Sequence, residues 1–169
     1  MKKDVNVAKD KVTKPELQDK KVSFFYAPRS ERYEMGKQMR KKCPRTSHAE
    51  WKAPANRHDP VDLIIESDKG RISKLVPLRH GRMVRSPFTF YRGAALNMAS
   101  DLAGTPVSGI NVQACGDAHL FNFGGFATPE RNIIFSINDL DETLPAPWEW
   151  DVKRLAASFI VASRNNNLN

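Results

Sequence analysis

The pattern of hydrophobic and polar positions divides the chain into three stretches. Residues 1–22 mix lysines with acids and show no period, which predicts a disordered basic leader. Residues 23–74 carry dense charge and scattered prolines, so we expect an irregular or helical segment. It should include an exposed helix within 30–42 and a second helix that starts at Pro60. Regular helical and strand periods begin only in residues 75–169.

That last region predicts two helices, one on each side of a set of strands. Apolar residues recur at helical spacing over residues 88–103 and again over residues 148–164. The second helix carries an apolar stripe that we expect to face the core. This stripe consists of Val152, Leu155, Ala156, Phe159 and Ile160.

Three short strands are predicted between the helices. Residues 110–115 have the composition of a buried strand, and residues 123–127 and 132–137 that of a hairpin closed by a tight turn. Because the strands of a hairpin return to the same end, Asp139 should come back beside Asn122. Helices and antiparallel strands in this order predict an α+β fold.

The net charge of +8 is concentrated at the start of the chain. Residues 1–50 contain 14 Lys and Arg against 7 Asp and Glu, whereas residues 51–169 contain 13 against 12. A basic leader can attract nucleic acid or an acidic membrane. Here the bases are interspersed with acids, which favours a solvated tail and argues against a nucleic-acid partner.

Three features of the sequence indicate where in the cell the protein is located. The first residues, Met1-Lys2-Lys3, are followed by charged residues rather than by the apolar core of a signal peptide. No apolar run approaches the length of a membrane span, and two cysteines provide no disulfide framework. We therefore expect a cytoplasmic protein with no membrane partner.

The polar residues of the stretch 115–122 are the strongest chemical signal. Asp117, His119 and Asn122 follow Gly116 at the end of a predicted strand. The step of five from Asp to Asn is that of protein-kinase catalytic loops, in which the Asp accepts a hydroxyl proton and the Asn binds a metal ion. The spacing thus predicts phosphoryl-transfer chemistry, with Asp117 and His119 as catalytic candidates.

An acidic group follows the predicted hairpin, formed by Asp139, Asp141 and Glu142. Alternate residues of a strand face the same side, and like charges so close together favour a nearby cation. Mg²⁺ prefers carboxylate, carbonyl and water ligands. The sequence therefore predicts a Mg²⁺ site at Asn122, Asp139 and Asp141, with an exposed, metal-free acidic loop as the alternative.

Structural alternatives exist for the other candidates as well. Asp117 by itself could cap a turn. His119 could brace the loop, contact phosphate or bind a transition metal, and we favour bracing because no paired-ligand spacing accompanies it. The arginines of residues 79–92 could neutralise the acidic half of the region or bind phosphate, with Arg82 and Arg92 as candidate cofactor contacts.

Neither of the common glycine motifs that hold nucleotide phosphates occurs in the sequence. A nucleotide needs groups that surround its phosphates. The chain therefore shows no obvious cradle for ATP.

Taken together, these motifs resemble the bacterial DUF2252 family, over roughly residues 40–169. The matching motifs include Arg79-His80-Gly81-Arg82-Met83, Cys115-Gly116-Asp117-Ala118-His119-Leu120, Asn138-Asp139-Leu140-Asp141-Glu142 and Trp148-Glu149-Trp150-Asp151-Val152. The family is in turn similar to aminoglycoside phosphotransferases and protein kinases.

The resemblance implies that the chain forms part of a kinase-like C-lobe. Such a domain uses Mg²⁺ and ATP to phosphorylate a hydroxyl of a small molecule or protein. Asp117 matches the catalytic base, while Asn122 and Asp139 match the metal ligands. Asp141 would add a second metal contact or fix the loop. Cys115 replaces the first His of the phosphotransferase loop.

Members of the family are usually considerably longer, and they place a glycine-rich segment and a lysine-bearing strand after the catalytic loop. The resemblance therefore predicts that this chain is an N-terminal fragment with little or no kinase activity alone. Three other possibilities stay open. They are a metal-dependent phosphoesterase or other hydrolase, a basic nucleic-acid-binding protein, and a non-functional fragment.

Overall fold

A computed structural model describes residues 27–168, and within them six α-helices accompany four short strands. The helices are α1 Arg29–Lys42, α2 Pro60–Ser67, α3 Val76–Met83, α4 Pro87–Gly93, α5 Ala95–Leu102 and α6 Trp148–Asn165. The strands are β1 Asn111–Ala114, β2 Phe123–Ala127, β3 Ile133–Ile137 and β4 Leu144–Pro147, and short 3₁₀ turns lie at Arg45–His48, Ser73–Leu75 and Leu120–Asn122. The α+β class is confirmed; the predicted leader, residues 1–22, lies outside the described residues.

Two compact units divide the chain, the first ending at Lys37 and the second beginning at Gln38. The described part of the first unit is helical from Arg29 onward. All features discussed below belong to the second unit. None of the helices in the described part of the chain combines the length and hydrophobicity that a membrane span requires.

Local sequence signals fix the starts of two helices. The predicted start at Pro60 is confirmed: Asp59 caps α2 by accepting the N–H of Val61 at 2.7 Å, and Pro60 occupies the first turn, where its missing N–H costs nothing. Ser86 begins α4 in the same way, because Ser86 and Thr89 satisfy one another's backbone N–H groups in a capping box.

The single helix predicted over residues 88–103 is wrong. The chain leaves helical geometry at Ala94, with φ −115° and ψ 42°, and forms α4 and α5 instead. The carbonyl of Gly93 accepts a hydrogen bond from Arg79 Nη2 at 2.7 Å. A tertiary contact to a distant side chain thus replaces a bond of the helical ladder, which helical spacing alone does not reveal.

The predicted hairpin is confirmed. Strands β2 and β3 pair antiparallel, with Phe123 opposite Ile137 and Ala127 opposite Ile133. One further hydrogen bond, from Asn138 N to Asn122 O at 2.9 Å, continues the pairing beyond the strands. The hairpin therefore brings the chain back to the loop that carries Asp117.

A second small sheet contains a strand that the sequence pattern did not predict. Strand β1 pairs antiparallel with β4, so that Gln113 lies opposite Pro145 and Asn111 opposite Pro147. Proline cannot donate to a ladder, so its presence argues against a strand. In a sheet of two strands each strand is an edge, and prolines are tolerated there.

Helix α6 forms where predicted, but the predicted buried face is wrong. Val152, Phe159 and Ile160 are each more than half exposed. The buried residues of this helix are instead Glu149, Arg154, Ser158 and Ala162. Polar side chains face inward because they bind the backbone and the carboxylate of the neighbouring loop.

The apolar core of the described residues is small. Ile64, Met83 and Ala94 form a buried cluster between α2, α3 and the break before α5. Most other buried apolar residues are alanines and cysteines. Much of what positions the loop at residues 115–122 is therefore polar.

Candidate active site

The turn that carries Asp117 is fixed by Gly116 and by Asp151. Gly116 has φ +79°, and a Cβ at this position would lie 2.1 Å from the carbonyl oxygen of Glu142, so only glycine fits. Asp151, in the first turn of α6, accepts the N–H groups of Cys115 at 2.7 Å and of Gly116 at 3.1 Å. The loop geometry is thereby held from both sides.

The carboxylate of Asp117 is paired with Arg154. Arg154 Nε donates to Asp117 Oδ1 at 2.8 Å, and Arg154 Nη2 donates to the same oxygen. Arg154 is only 2% exposed, and its guanidinium also donates to the carbonyl of Tyr91 at 2.9 Å and lies over the Tyr91 ring. Burial raises the pKa of the Tyr91 hydroxyl to about 12, and this hydroxyl donates to the backbone carbonyl of Arg154 at 2.6 Å.

His119 lies beneath the loop, where it is 3% exposed. Its Nε2 is 3.5 Å from Asp117 Oδ2, and its Nδ1 has no hydrogen-bond partner among residues 27–168. Burial lowers the pKa of His119, and the neighbouring Asp117 carboxylate only partly opposes this effect. A neutral imidazole in this position is suited to bracing the loop.

Asn122 closes the same loop. Its side-chain amide donates to the backbone carbonyl of Asp117 at 2.8 Å, and its backbone N–H donates to the carbonyl of His119 at 2.9 Å. The structure therefore places Asn122 next to the Asp117 backbone. It is not among the residues that line the cleft beside Asp117.

A cleft of about 370 Å³ brings the predicted acidic residues together. Asp117, Asp139 and Asp141 line it from the loop and the hairpin exit. Asp139 Oδ1 accepts the backbone N–H of Asp141 at 3.1 Å, which holds the Asp139 carboxylate against the chain at Asp141. Glu142 also lines the cleft and is paired with Arg71 at 3.3 Å.

The arginines differ in what they can bind. Arg92 lines the cleft, with its guanidinium 5.2 Å from the centroid of the Phe121 ring. Arg82 lines a neighbouring depression and does not reach the cleft wall. Arg79 is committed to structure, because it donates to Asp68 at 2.7 Å and to the Gly93 carbonyl. Of the two predicted cofactor contacts, only Arg92 lies beside the acidic residues.

The donor set fits a metal–phosphate complex better than a metal ion alone. No group of three His, Cys, Asp or Glu side chains converges on one point within the described residues. Asp139 and Asp141 are nevertheless both exposed in one cleft with Arg92. Mg²⁺ is commonly held by one or two carboxylates together with substrate phosphates, and Arg92 offers a second contact for such phosphates.

A protein-family model described as "uncharacterized protein conserved in bacteria (DUF2252)" matches residues 71–169. The chain belongs to this family. The matched region contains every cleft residue except Ser67. Neither a curated protein nor a solved structure matches the chain.

Sequence patterns missed the residues by which this DUF2252 chain holds its loop. Asp151, Arg154 and Ser158 lie on one face of α6 and contact the loop in order, at Cys115 and Gly116, at Asp117, and at the Leu120 N–H. Their spacing of three and then four is helical. A polar stripe at that spacing beside an apolar stripe was the available signal.

Proposed function

We propose that this DUF2252 chain supplies the catalytic-loop portion of a kinase-like phosphotransferase, which uses Mg²⁺ and ATP to phosphorylate a hydroxyl acceptor. The observation that carries the proposal is the cleft in which Asp117, Asp139, Asp141 and Arg92 lie together. A candidate base, two carboxylates for a cation and the Arg92 guanidinium for phosphate are among the groups that phosphoryl transfer uses.

Asp117 is the proposed base. Arg154 occupies Oδ1, so that Oδ2 is the oxygen left to accept the proton of an acceptor hydroxyl. The fixed backbone around Gly116 holds this carboxylate in one orientation, as a general base requires. Arg154 is a positioning residue, since it acts on Asp117 rather than on the reactants.

Asp139 and Asp141 are the proposed cation-binding residues. Mg²⁺ bound there would neutralise phosphate oxygens, and the guanidinium of Arg92 would bind a further oxygen of the same group. Asn122 has a different part in this proposal, because its side chain already donates to the Asp117 backbone. It keeps the loop closed.

The proposal includes a second polypeptide segment that provides the nucleotide cradle. The matched motifs contain no phosphate-binding glycine loop, and large apolar residues stand exposed on β3 and α6. Among them, Ile133 is 87% and Phe135 75% exposed. Such a surface is what a missing part of the domain would cover.

An assay with two substrates separates this proposal from a metal-dependent hydrolase that uses the same carboxylates to activate water. With Mg²⁺, we expect the purified chain to release no phosphate from p-nitrophenyl phosphate and to turn over no ATP. Phosphate release that disappears in Asp139→Asn would favour the hydrolase. Turnover of ATP that disappears in Asp117→Ala would show that the chain needs no further segment.

A further inference from the structure

A second cavity, of about 380 Å³, is lined by residues of α4, α5 and α6 and shares no lining residue with the cleft beside Asp117. Its volume is in the range of pockets that bind small molecules. The walls are mainly apolar and aromatic; they include Trp51, Phe90, Tyr91, Ala94, Met98 and Leu102.

The outer wall of this cavity is held in place by polar contacts. The indole N–H of Trp51 donates to the carbonyl of Asp101 at 3.4 Å. Arg57 makes two hydrogen bonds to the Asp101 carboxylate, at 2.6 and 2.7 Å, and its guanidinium lies 5.8 Å from the centroid of the Trp51 ring. The wall is therefore ordered, and the charge of Asp101 is already neutralised.

Lys153 is the lysine that lines this cavity. Its ammonium donates to Thr105 Oγ1 at 2.9 Å and forms no ion pair with a carboxylate of the described residues. Burial lowers the pKa of Lys153, and the nearby Glu149 opposes this effect only in part. Glu149 itself accepts the backbone N–H of Ser108 at 2.7 Å.

Three further polar residues line the cavity: Glu50, Asn97 and His48. Glu50 is exposed, so water can solvate its charge. The side chain of Asn97 donates to the Pro60 carbonyl, which can only accept, and its own buried oxygen has no partner within residues 27–168. The buried Nδ1 of His48 also lacks a partner in that range.

We propose that this cavity binds a small apolar carboxylate. The carboxylate pairs with the Lys153 ammonium, and the apolar body lies against Trp51, Phe90 and Leu102. Lys153 is half-buried and pairs with no carboxylate of the described residues, so an anionic ligand supplies its counterion, whereas the two acids of the lining are either paired or solvated. The site is distinct from the phosphotransferase proposal and does not depend on it.

Calorimetric titration of the purified chain with the carboxylate of 1-naphthaleneacetic acid tests the proposal. The neutral 1-naphthylacetamide and the cationic 1-naphthylmethylamine serve as ligands of the same shape. We expect the acid to bind roughly tenfold or more tightly than either, because hydrogen bonds to charged groups contribute on that scale. Lys153→Met should abolish this preference, and Lys74→Met, which removes an exposed lysine elsewhere, should leave it unchanged.

A variant of the wall adds an independent readout. Trp51→Ala should weaken the acid and the amide alike, since it removes apolar contact without touching the ammonium. Thermal melts of all variants identify any that fail to fold. Equal binding of acid and amide, tighter binding of the amine, no binding of the acid, or an acid preference that survives in folded Lys153→Met would each overturn the proposal.

Discussion

At the scale of single residues, Asp117 is defined by the groups that hold it. A buried arginine binds one carboxylate oxygen, a buried neutral imidazole lies near the other, and the glycine before it has a backbone that other residues rarely adopt. A carboxylate that only capped a turn would not require a buried counterion. Burying these charged and polar groups costs free energy. Three substitutions test whether the folded chain depends on them.

Arg154→Met should lower the free energy of unfolding by about 3–5 kcal/mol, because it leaves the largely buried Asp117 carboxylate without its partner. The measurement is urea denaturation. The double variant Arg154→Met/Asp117→Asn removes the unpaired charge and should regain part of the loss. Asp117→Asn alone completes the comparison. If the losses of unfolding free energy in Arg154→Met and Asp117→Asn simply add in the double variant, the two side chains are not coupled and the proposed positioning role of Arg154 is wrong.

His119 should make the protein less stable in acid. Because burial lowers its pKa in the folded state below the ordinary value of 6.5, the unfolded chain binds a proton first as the pH falls. The stabilisation is present above pH 6.5 and is lost as the pH falls toward the lowered folded value. The unfolding free energy of His119→Gln should therefore depend less on pH in that window.

The control for this measurement is His58→Gln, which changes an exposed histidine. It should follow the pH dependence of the unchanged chain. A His119→Gln variant with the same acid slope as the unchanged chain would contradict the buried neutral imidazole.

Gly116→Ala should destabilise the chain by about 2–4 kcal/mol, since it combines a positive φ with a clash against the Glu142 carbonyl. Gly81→Ala is the matched change, because Gly81 lies in α3 and a Cβ added there would meet no atom within 4 Å outside its own helix turn. It should be stabilising by roughly 0.5–1 kcal/mol. Thermal denaturation of both variants checks the contrast, and similar effects at the two sites would argue against the tight turn.

At the scale of elements, α6 shows where pattern reasoning succeeds and where it fails. The bounds of the helix follow from its periodicity, and the predicted hairpin forms with the expected strands. The buried face does not follow, because hydrophobicity assigns the core to Phe159 and Ile160. The helix instead turns Arg154 and Ser158 inward. Specific hydrogen bonds to a loop distant in sequence cannot be read from a hydrophobic stripe.

The same limit explains the other errors. The break at Ala94 depends on a contact between Gly93 and Arg79, and β4 depends on pairing with a strand more than thirty residues earlier. By contrast, the acidic residues after the hairpin return to the cleft because a hairpin closes locally. Local closure was predictable, and long-range polar pairing was not.

Ser158→Ala tests whether polar side chains of α6 hold the 115–122 loop in place. Ser158 is fully buried and its hydroxyl oxygen accepts the Leu120 N–H at 3.0 Å, so the change should cost about 1–3 kcal/mol by leaving a buried donor unpaired. Ser163→Ala, at an exposed hydroxyl of the same helix, should cost much less. Hydrogen exchange should also accelerate at Leu120 in the first variant only. Unchanged exchange there would contradict the role.

At the scale of the whole molecule, the described residues join a polar site to a small apolar core. The cleft is assembled from α4, the 115–122 loop, the hairpin exit and residues near α2, while large apolar side chains on β3 and α6 face solvent. Membership of the DUF2252 family covers this region and fixes no reaction. The functional account therefore depends on whether the cleft carboxylates bind a metal–phosphate complex.

Calorimetric titration of the chain with magnesium tripolyphosphate measures that property directly. We predict saturable binding that requires Mg²⁺ and weakens by about tenfold or more in Asp139→Asn/Asp141→Asn, because two charged ligands are lost. Asp62→Asn, at an exposed acid of α2, should bind like the unchanged chain. No binding by the unchanged chain, or equal binding by the double variant, would contradict the account.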